Sequence, residues 1–267
     1  MTVFQAIILG ILQGLAEFLP ISSSAHLTLA PWIMGWDDPG LAFDVALHVG
    51  TLIAIFWYFR RTWLDLARAA VEVLATRRAR TPMQRRAVFL VLATIPGAIA
   101  GLAFEKQADS TLRSPVVIGV ALAVVGVVLW VVDRAARQTR ELDGMTWKDA
   151  LLIGVTQMFA IIPGVSRSGA TITGGRALGL TREDAAVFSF LMSMPIIAAA
   201  AVLKVPDAVH AMGFSAPLLA GVLASAVSGW LAIGFLLRFV QTRSYFAFAL
   251  YRVLLGVAML WLVFSRR

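Results

Sequence analysis

Uninterrupted apolar runs recur along the chain near residues 41–59, 86–104, 115–132, 183–203, 216–237 and 246–264. Each approaches the ~20 helical residues that cross roughly 30 Å of hydrocarbon, so six transmembrane helices are predicted. Two further apolar regions behave differently. Residues 3–35 are interrupted at Pro20-Ile21-Ser22-Ser23-Ser24, and residues 147–180 at Pro163-Gly164-Val165-Ser166-Arg167-Ser168-Gly169. A break within lipid leaves backbone groups unpaired unless protein or a wet cavity encloses it, which predicts two re-entrant helical hairpins. Residues 62–76 place Trp63, Leu66, Ala67, Ala70, Val71 and Leu74 on one stripe, with Asp65, Arg68 and Glu72 elsewhere. That is the pattern of a helix lying in the membrane interface. The first residues are not expected to be a cleaved signal sequence, because no basic residue precedes Val3 and Gln13 and Glu17 interrupt the apolar stretch.

The broken regions resemble each other. A shift of 144 positions places Gly10 on Gly154, Gln13 on Gln157, Ser22 on Ser166 and Ser24 on Ser168, while Pro20 and Pro163 miss by one. The expected fold class is an all-α polytopic integral membrane protein with an inverted-topology repeat in one membrane domain. The first repeat covers 1–135 and the second 145–267, each a hairpin followed by three spans; because three is odd, the halves lie upside down relative to each other. Basic residues test this plan. One side collects sixteen, including eight arginines in residues 60–86 and Arg176 and Arg182; the other collects Lys106, Arg113, Lys204, Arg266 and Arg267. The first side is then cytoplasmic. An alternative with eight transmembrane helices, each broken region being a full span, gives nearly the same asymmetry, so the internal similarity carries the choice.

Composition narrows the functional classes. Hydrophobic residues make up 60% and charged residues 14%, against about 45–50% and about 25% in soluble domains, which excludes an ordinary soluble enzyme. A net charge of +8 would suit nucleic acid as well as anionic lipid, but a mean hydropathy of +0.83 decides for the membrane. No nucleic-acid partner is expected. With no cysteine, thiolate metal sites and cysteine nucleophiles are unavailable.

Chemistry-bearing residues concentrate at the breaks. Gln13 and Glu17, four apart, share a helix face directed toward the serines, and a carboxylate at membrane depth costs ~2.5–3.5 kcal/mol, which marks it as functional. One of Ser22, Ser23 and Ser24 is accounted for as a helix cap; three are not. His26 lies three residues after Ser23, the spacing for proton exchange with a hydroxyl. In the second break, Gly164 and Gly169 bracket Ser166, Arg167 and Ser168, with Thr171 one turn on. A helix starting there points its positive end at the break, and the Arg167 fork fits phosphate oxygens. Donors with a guanidinium bind phosphate; adding a carboxylate able to hold a divalent cation and a hydroxyl able to attack gives phosphate transfer or hydrolysis. A phosphate ester or anhydride reached from within the bilayer is a lipid, so a lipid substrate is expected. Asp44 and His48 share a face and either extend this site or pair with each other. Arg252 is expected to snorkel or to pair with an acid. A transporter is the main rival, since broken helices and repeats are common there, yet it has no use for the clustered hydroxyl, imidazole and carboxylate.

The stretches QGLAEFLPISSSAH (Gln13 to His26) and PGVSRSGAT (Pro163 to Thr171), with FDVALHVGTL (Phe43 to Leu52) and FSFLMSMP (Phe188 to Pro195), resemble the signature regions of the undecaprenyl-diphosphate phosphatase family, also called bacitracin-resistance proteins. The resemblance implies hydrolysis of undecaprenyl diphosphate to undecaprenyl phosphate and inorganic phosphate, recycling the lipid carrier for peptidoglycan in the bacterial cytoplasmic (inner) membrane. It implies a divalent cation, Mg or Ca, on Glu17 and Gln13, the latter being the family's neutral variant. Catalytic roles fall on Glu17, Ser23, His26 and Arg167. Substrate binding falls on Gln13, Ser22, Ser166, Arg167, Ser168 and Thr171. Attack by Ser23 or by a cation-bound water both remain open. Gly119, Ala123 and Gly126 form a small-residue surface for helix packing within the chain or in a homodimer.

Overall fold

A computed structural model describes residues 1–104, 107 and 111–265. Lys106, Arg266 and Arg267 of the charge tally lie outside the described residues, as does the Lys204 side chain. The fold is all-helical. Its first half holds α1 (Val3–Phe18), α2 (Ser23–Met34), α3 (Leu41–Tyr58), α4 (Arg60–Thr76), α5 (Pro82–Ala103) and α6 (Pro115–Ala135). The second half holds α7 (Trp147–Met158), α8 (Arg167–Ala177), α9 (Arg182–Met212), α10 (Ala216–Thr242) and α11 (Phe246–Ser265). Capping boxes start α1, α5 and α7, where Thr2, Thr81 and Thr146 accept from backbone three residues on and Gln5, Gln84 and Asp149 answer.

Among the described residues, five helices are long and apolar enough to cross a membrane, and α3 with α4, bent by 83°, makes a sixth if the pair is one span. Five predicted spans correspond to the five long helices; the sixth, 41–59, is α3, which qualifies only together with α4. Several run past the predicted ends, α10 to Thr242 and α6 to Ala135, because charged residues continue a helix beyond the hydrocarbon. The bend sets α4 across α3, as an interfacial helix requires, but its inner face is Leu66 and Ala69. Val71 and Leu74 of the predicted stripe are exposed.

Helices α1, α2, α7 and α8 have 16, 12, 12 and 11 residues, and at 1.5 Å per residue none reaches across ~30 Å. Each pair folds back. Leu27 and Ala30 of α2 share an apolar cluster with Ala6 and Leu9 of α1, and Gly174 of α8 lies against Thr156 of α7. The hairpins are packed by exchange, α1 chiefly against α10 and α7 against α5. Glycine makes both approaches possible: a Cβ on Gly10 would stand 2.2 Å from the Gly221 carbonyl, and one on Gly154 2.5 Å from that of Ala93.

Gly119, Ala123 and Gly126 are used within the chain, since α11 lies on them with Gly256 against the Gly119 carbonyl. This small-residue surface is therefore not free for a second copy. Large apolar side chains such as Leu102, Leu223, Leu254 and Trp261 are exposed instead, the outward face of a protein that sits in lipid. Two arginines depart from expectation. Arg176 is fully buried rather than a loop charge, and with Arg182 it pairs with Asp133 at 2.9 Å. Arg252, also fully buried, does not snorkel and meets no acid among the described residues; it donates to backbone carbonyls at the breaks, as described next.

Candidate active site

The first break follows from Pro20. The residue before a proline is driven out of the helical region, and Leu19 is extended with ψ 139. Ser22 then takes φ +77, and its hydroxyl accepts from the Ala25 N–H to start α2. The second break repeats this geometry, with Ser166 at φ +70 accepting from the Gly169 N–H to start α8. Such conformations cost about 1–3 kcal/mol outside glycine and persist only where surroundings hold them. Arg252 supplies that hold. Its guanidinium donates to the carbonyls of Pro20 at 3.0 Å and of Gly164 and Val165 at 2.8 Å, satisfying acceptors that the broken helices leave open. The breaks also touch directly, Gly164 N–H donating to Ser22 Oγ at 3.2 Å and Ser168 Oγ to the Leu19 carbonyl at 3.2 Å.

Held in this frame, the two helix starts meet at Glu17. Ser23 Oγ donates to Glu17 Oε2 at 2.6 Å, and Arg167 donates to Glu17 Oε1 at 2.8 Å and to the Ser189 carbonyl at 2.8 Å. Gln13 Nε2 reaches Oε2 at 3.3 Å. A cavity of about 270 Å³ opens here. Its polar end is formed by Glu17, Ser23, Ser24, Ser166 and Arg167, joined by His48 and Gln157; its other walls are apolar, from α5 and α9. A larger depression of about 390 Å³ lies at the opposite end of the helices against Arg86, Asp143 and Arg182. Its cations are paired, Arg86 with Asp143 and Arg182 with Asp133, and no residue of either helix break lines it.

Of the residues singled out in the sequence, Glu17, Ser23, Ser166 and Arg167 line this cavity. Gln13, Ser22, Ser168 and Thr171 do not; Gln13 is buried against Glu17, and the other three build the frame, Thr171 Oγ1 donating to the Arg167 carbonyl at 2.8 Å. His26 is displaced from the expected role. Its Nδ1 donates to the Ser22 carbonyl at 2.7 Å and its Nε2 meets the Tyr251 hydroxyl at 2.7 Å, so both nitrogens are engaged away from Ser23. The imidazole at the carboxylate is His48, Nε2 3.4 Å from Glu17 Oε2, oriented by Nδ1 donation to the Asp44 carbonyl at 2.7 Å. The Asp44 side chain turns instead to Arg113, 3.3 Å away. The sequence signal for His48 was a polar face shared with Asp44; for Gln157 it was the match to Gln13.

The donor set can be tested against a divalent cation. No group of three His, Asp or Glu side chains among the described residues could cage an ion. Glu17 is one carboxylate, and the buried Gln13 Oε1 beside it has no hydrogen-bond partner among the described residues. Two oxygens fit an ion that takes its remaining ligands from substrate phosphates, which is how Mg is commonly held.

An all-α polytopic membrane protein that gathers a hydroxyl, a carboxylate and a guanidinium at two facing helix breaks is of the class that handles phosphate inside the bilayer. The chain belongs to the bacitracin resistance protein BacA family, whose model matches residues 6–258. It is 56% identical over 266 residues to the undecaprenyl-diphosphatase of Gemmatimonas aurantiaca, covering 100% of each. That of Moorella thermoacetica is 50% identical, with 98% of this chain and 99% of the relative aligned. The Myxococcus xanthus protein of the same name is 44% identical over 98% and 90%.

Proposed function

We propose that the protein hydrolyses undecaprenyl diphosphate to undecaprenyl phosphate and inorganic phosphate, recycling the lipid carrier of peptidoglycan synthesis and conferring bacitracin resistance. The observation that carries the reading for the site is the Glu17 carboxylate, shared between a hydroxyl at 2.6 Å and a guanidinium at 2.8 Å at the floor of the cavity. With the distal phosphate beside Arg167, Ser23 Oγ attacks its phosphorus and gives its proton to Glu17. The bond from phosphorus to the bridging oxygen breaks, and undecaprenyl phosphate departs. Water then attacks the phosphoserine, releasing inorganic phosphate and returning the proton to Ser23. His48 stands where it can exchange protons with Glu17, whereas the expected proton partner of the Ser23 hydroxyl was His26. Ser166 lines the cavity beside Arg167, its hydroxyl capping the helix that carries that arginine. Arg167 neutralises the phosphoryl oxygens as charge builds on them. A divalent cation, Mg or Ca, would be held by Glu17 and Gln13 with substrate oxygens, and supplies further charge neutralisation when bound.

The exchange packing of the hairpins supports an inverted repeat over 1–135 and 145–267. The arginine-rich end of α5, at Arg85 and Arg86, is placed on the cytoplasmic side of the bacterial inner membrane. Gly97, eleven residues along that helix, then sits roughly 17 Å deeper, so the cavity opens in the outer half. Phosphate release from undecaprenyl diphosphate by the purified protein, with chelator and with added Mg or Ca, tests the proposal. Release that depends on the cation is expected. No release under any condition overturns the hydrolase reading and favours a lipid transporter.

A further inference from the structure

Gln157 is a buried amide that the fold leaves unanswered. It sits in the last turn of α7, is 3% exposed and lines the cavity of Glu17, Ser23 and Arg167. Neither its Nε2 nor its Oε1 has a hydrogen-bond partner among the described residues. Buried polar atoms are nearly always paired, and leaving one unpaired costs about 1–3 kcal/mol. The local backbone makes room for this amide: a Cβ on Gly97 would fall 2.2 Å from Nε2. Gly97 and Gly101 continue along α5 into the apolar part of the cavity, faced by Ile196, Ile197 and Ala200 of α9. The amide thus stands between a floor that binds phosphate and a wall that suits a hydrocarbon chain.

We infer that Gln157 binds the lipid-proximal phosphate, the one that stays on the polyprenol, through Nε2 donation to a non-bridging oxygen. This rests on the hydrolase reading, in which the distal phosphate occupies Ser23 and Arg167. A diphosphate lipid placed so must pass its second phosphate between that floor and the apolar wall. Arg167 supplies charge where the phosphorus reacts, whereas the proximal phosphate leaves with the product, and a neutral donor holds it without trapping it. Because substrate and product both carry that phosphate, the contact is uniform binding, felt in KM and in product affinity rather than in kcat.

Gln157→Leu keeps the size and removes the amide, and Gly97→Ala pushes the amide aside while leaving it in the chain. In the full-length protein each is expected to raise KM for undecaprenyl diphosphate about tenfold, the loss of one hydrogen bond, with kcat near wild type. The inhibition constant of undecaprenyl phosphate should rise by a similar factor, and that of inorganic phosphate should not move. Gln157→Leu should melt no lower than wild type, since it deletes unpaired polar atoms. Unchanged KM and unchanged undecaprenyl phosphate inhibition in Gln157→Leu overturn the inference, as does a loss confined to kcat or a fall in melting temperature with KM intact. If the wild type fails to hydrolyse, the underlying reading fails instead. Binding of undecaprenyl phosphate measured without turnover then decides on Gln157 separately, a wild-type affinity in Gln157→Leu rejecting it.

Discussion

The two helix breaks share one frame and carry different chemistry. Ser22 and Ser166 have the same left-handed backbone, the same hydroxyl cap three residues on and the same 3.2 Å contact with a serine two residues later. The first residue of the following helix is Ser23 in one break and Arg167 in the other, and Glu17 has Ile161 as its counterpart 144 positions on. Neither hairpin alone is a site. The two similar frames bring two helix starts to one carboxylate, and the two positions where they differ place an acid and a hydroxyl opposite a guanidinium.

If that division of labour holds, the largest losses come from the positions where the halves differ. Glu17→Ala and Arg167→Ala should each lower phosphate release by at least about 10³-fold, the scale for removing a group that stabilises the transition state, in proteins whose melting shows that they still fold. Wild-type-like activity in either would remove the central pairing. The two histidines offer a second contrast. His48→Gln is expected to lower kcat by about 10²-fold, typical of lost acid–base assistance, whereas His26→Gln, which breaks the contact with Tyr251, should lower melting temperature with kcat largely kept. The reverse pattern would restore His26 to the chemistry.

Smaller effects test the frame. Gly169 corresponds to Ala25, yet a Cβ at Gly169 would stand 2.6 Å from Arg252 Nη1. Gly169→Ala should therefore cost about 1–3 kcal/mol by overpacking, while Ala25→Gly costs about 1 kcal/mol through the loss of a buried methyl group; chemical or thermal unfolding in detergent separates them. Equal costs would mean that Arg252 clamps both breaks alike. Smallest of all, Ser166→Ala should lose about 1 kcal/mol of capping and Ser22→Ala somewhat more, because Ser22 Oγ also accepts from Gly164. The same unfolding experiment ranks them.

The sequence by itself determined the six spans, the two breaks and the residue types gathered there. Lipid cannot hydrogen-bond a peptide group, so continuous apolarity and its interruption are written locally and can be read without a fold. Glu17, Ser23, Ser166 and Arg167 line one cavity, and each sits in a break or within three residues of one. Tertiary structure alone decided which polar groups beside those four reach the cavity. His26 shares a helix face with Ser23, but that face meets Tyr251, a residue 225 positions away, and His48 arrives from a different helix at the same carboxylate. Arg252 was expected to snorkel or to pair with an acid because its actual partners are carbonyls, which every residue carries and no sequence pattern marks. Spacing along one helix fixes direction around its axis; what lies in that direction is set by the packing of the others.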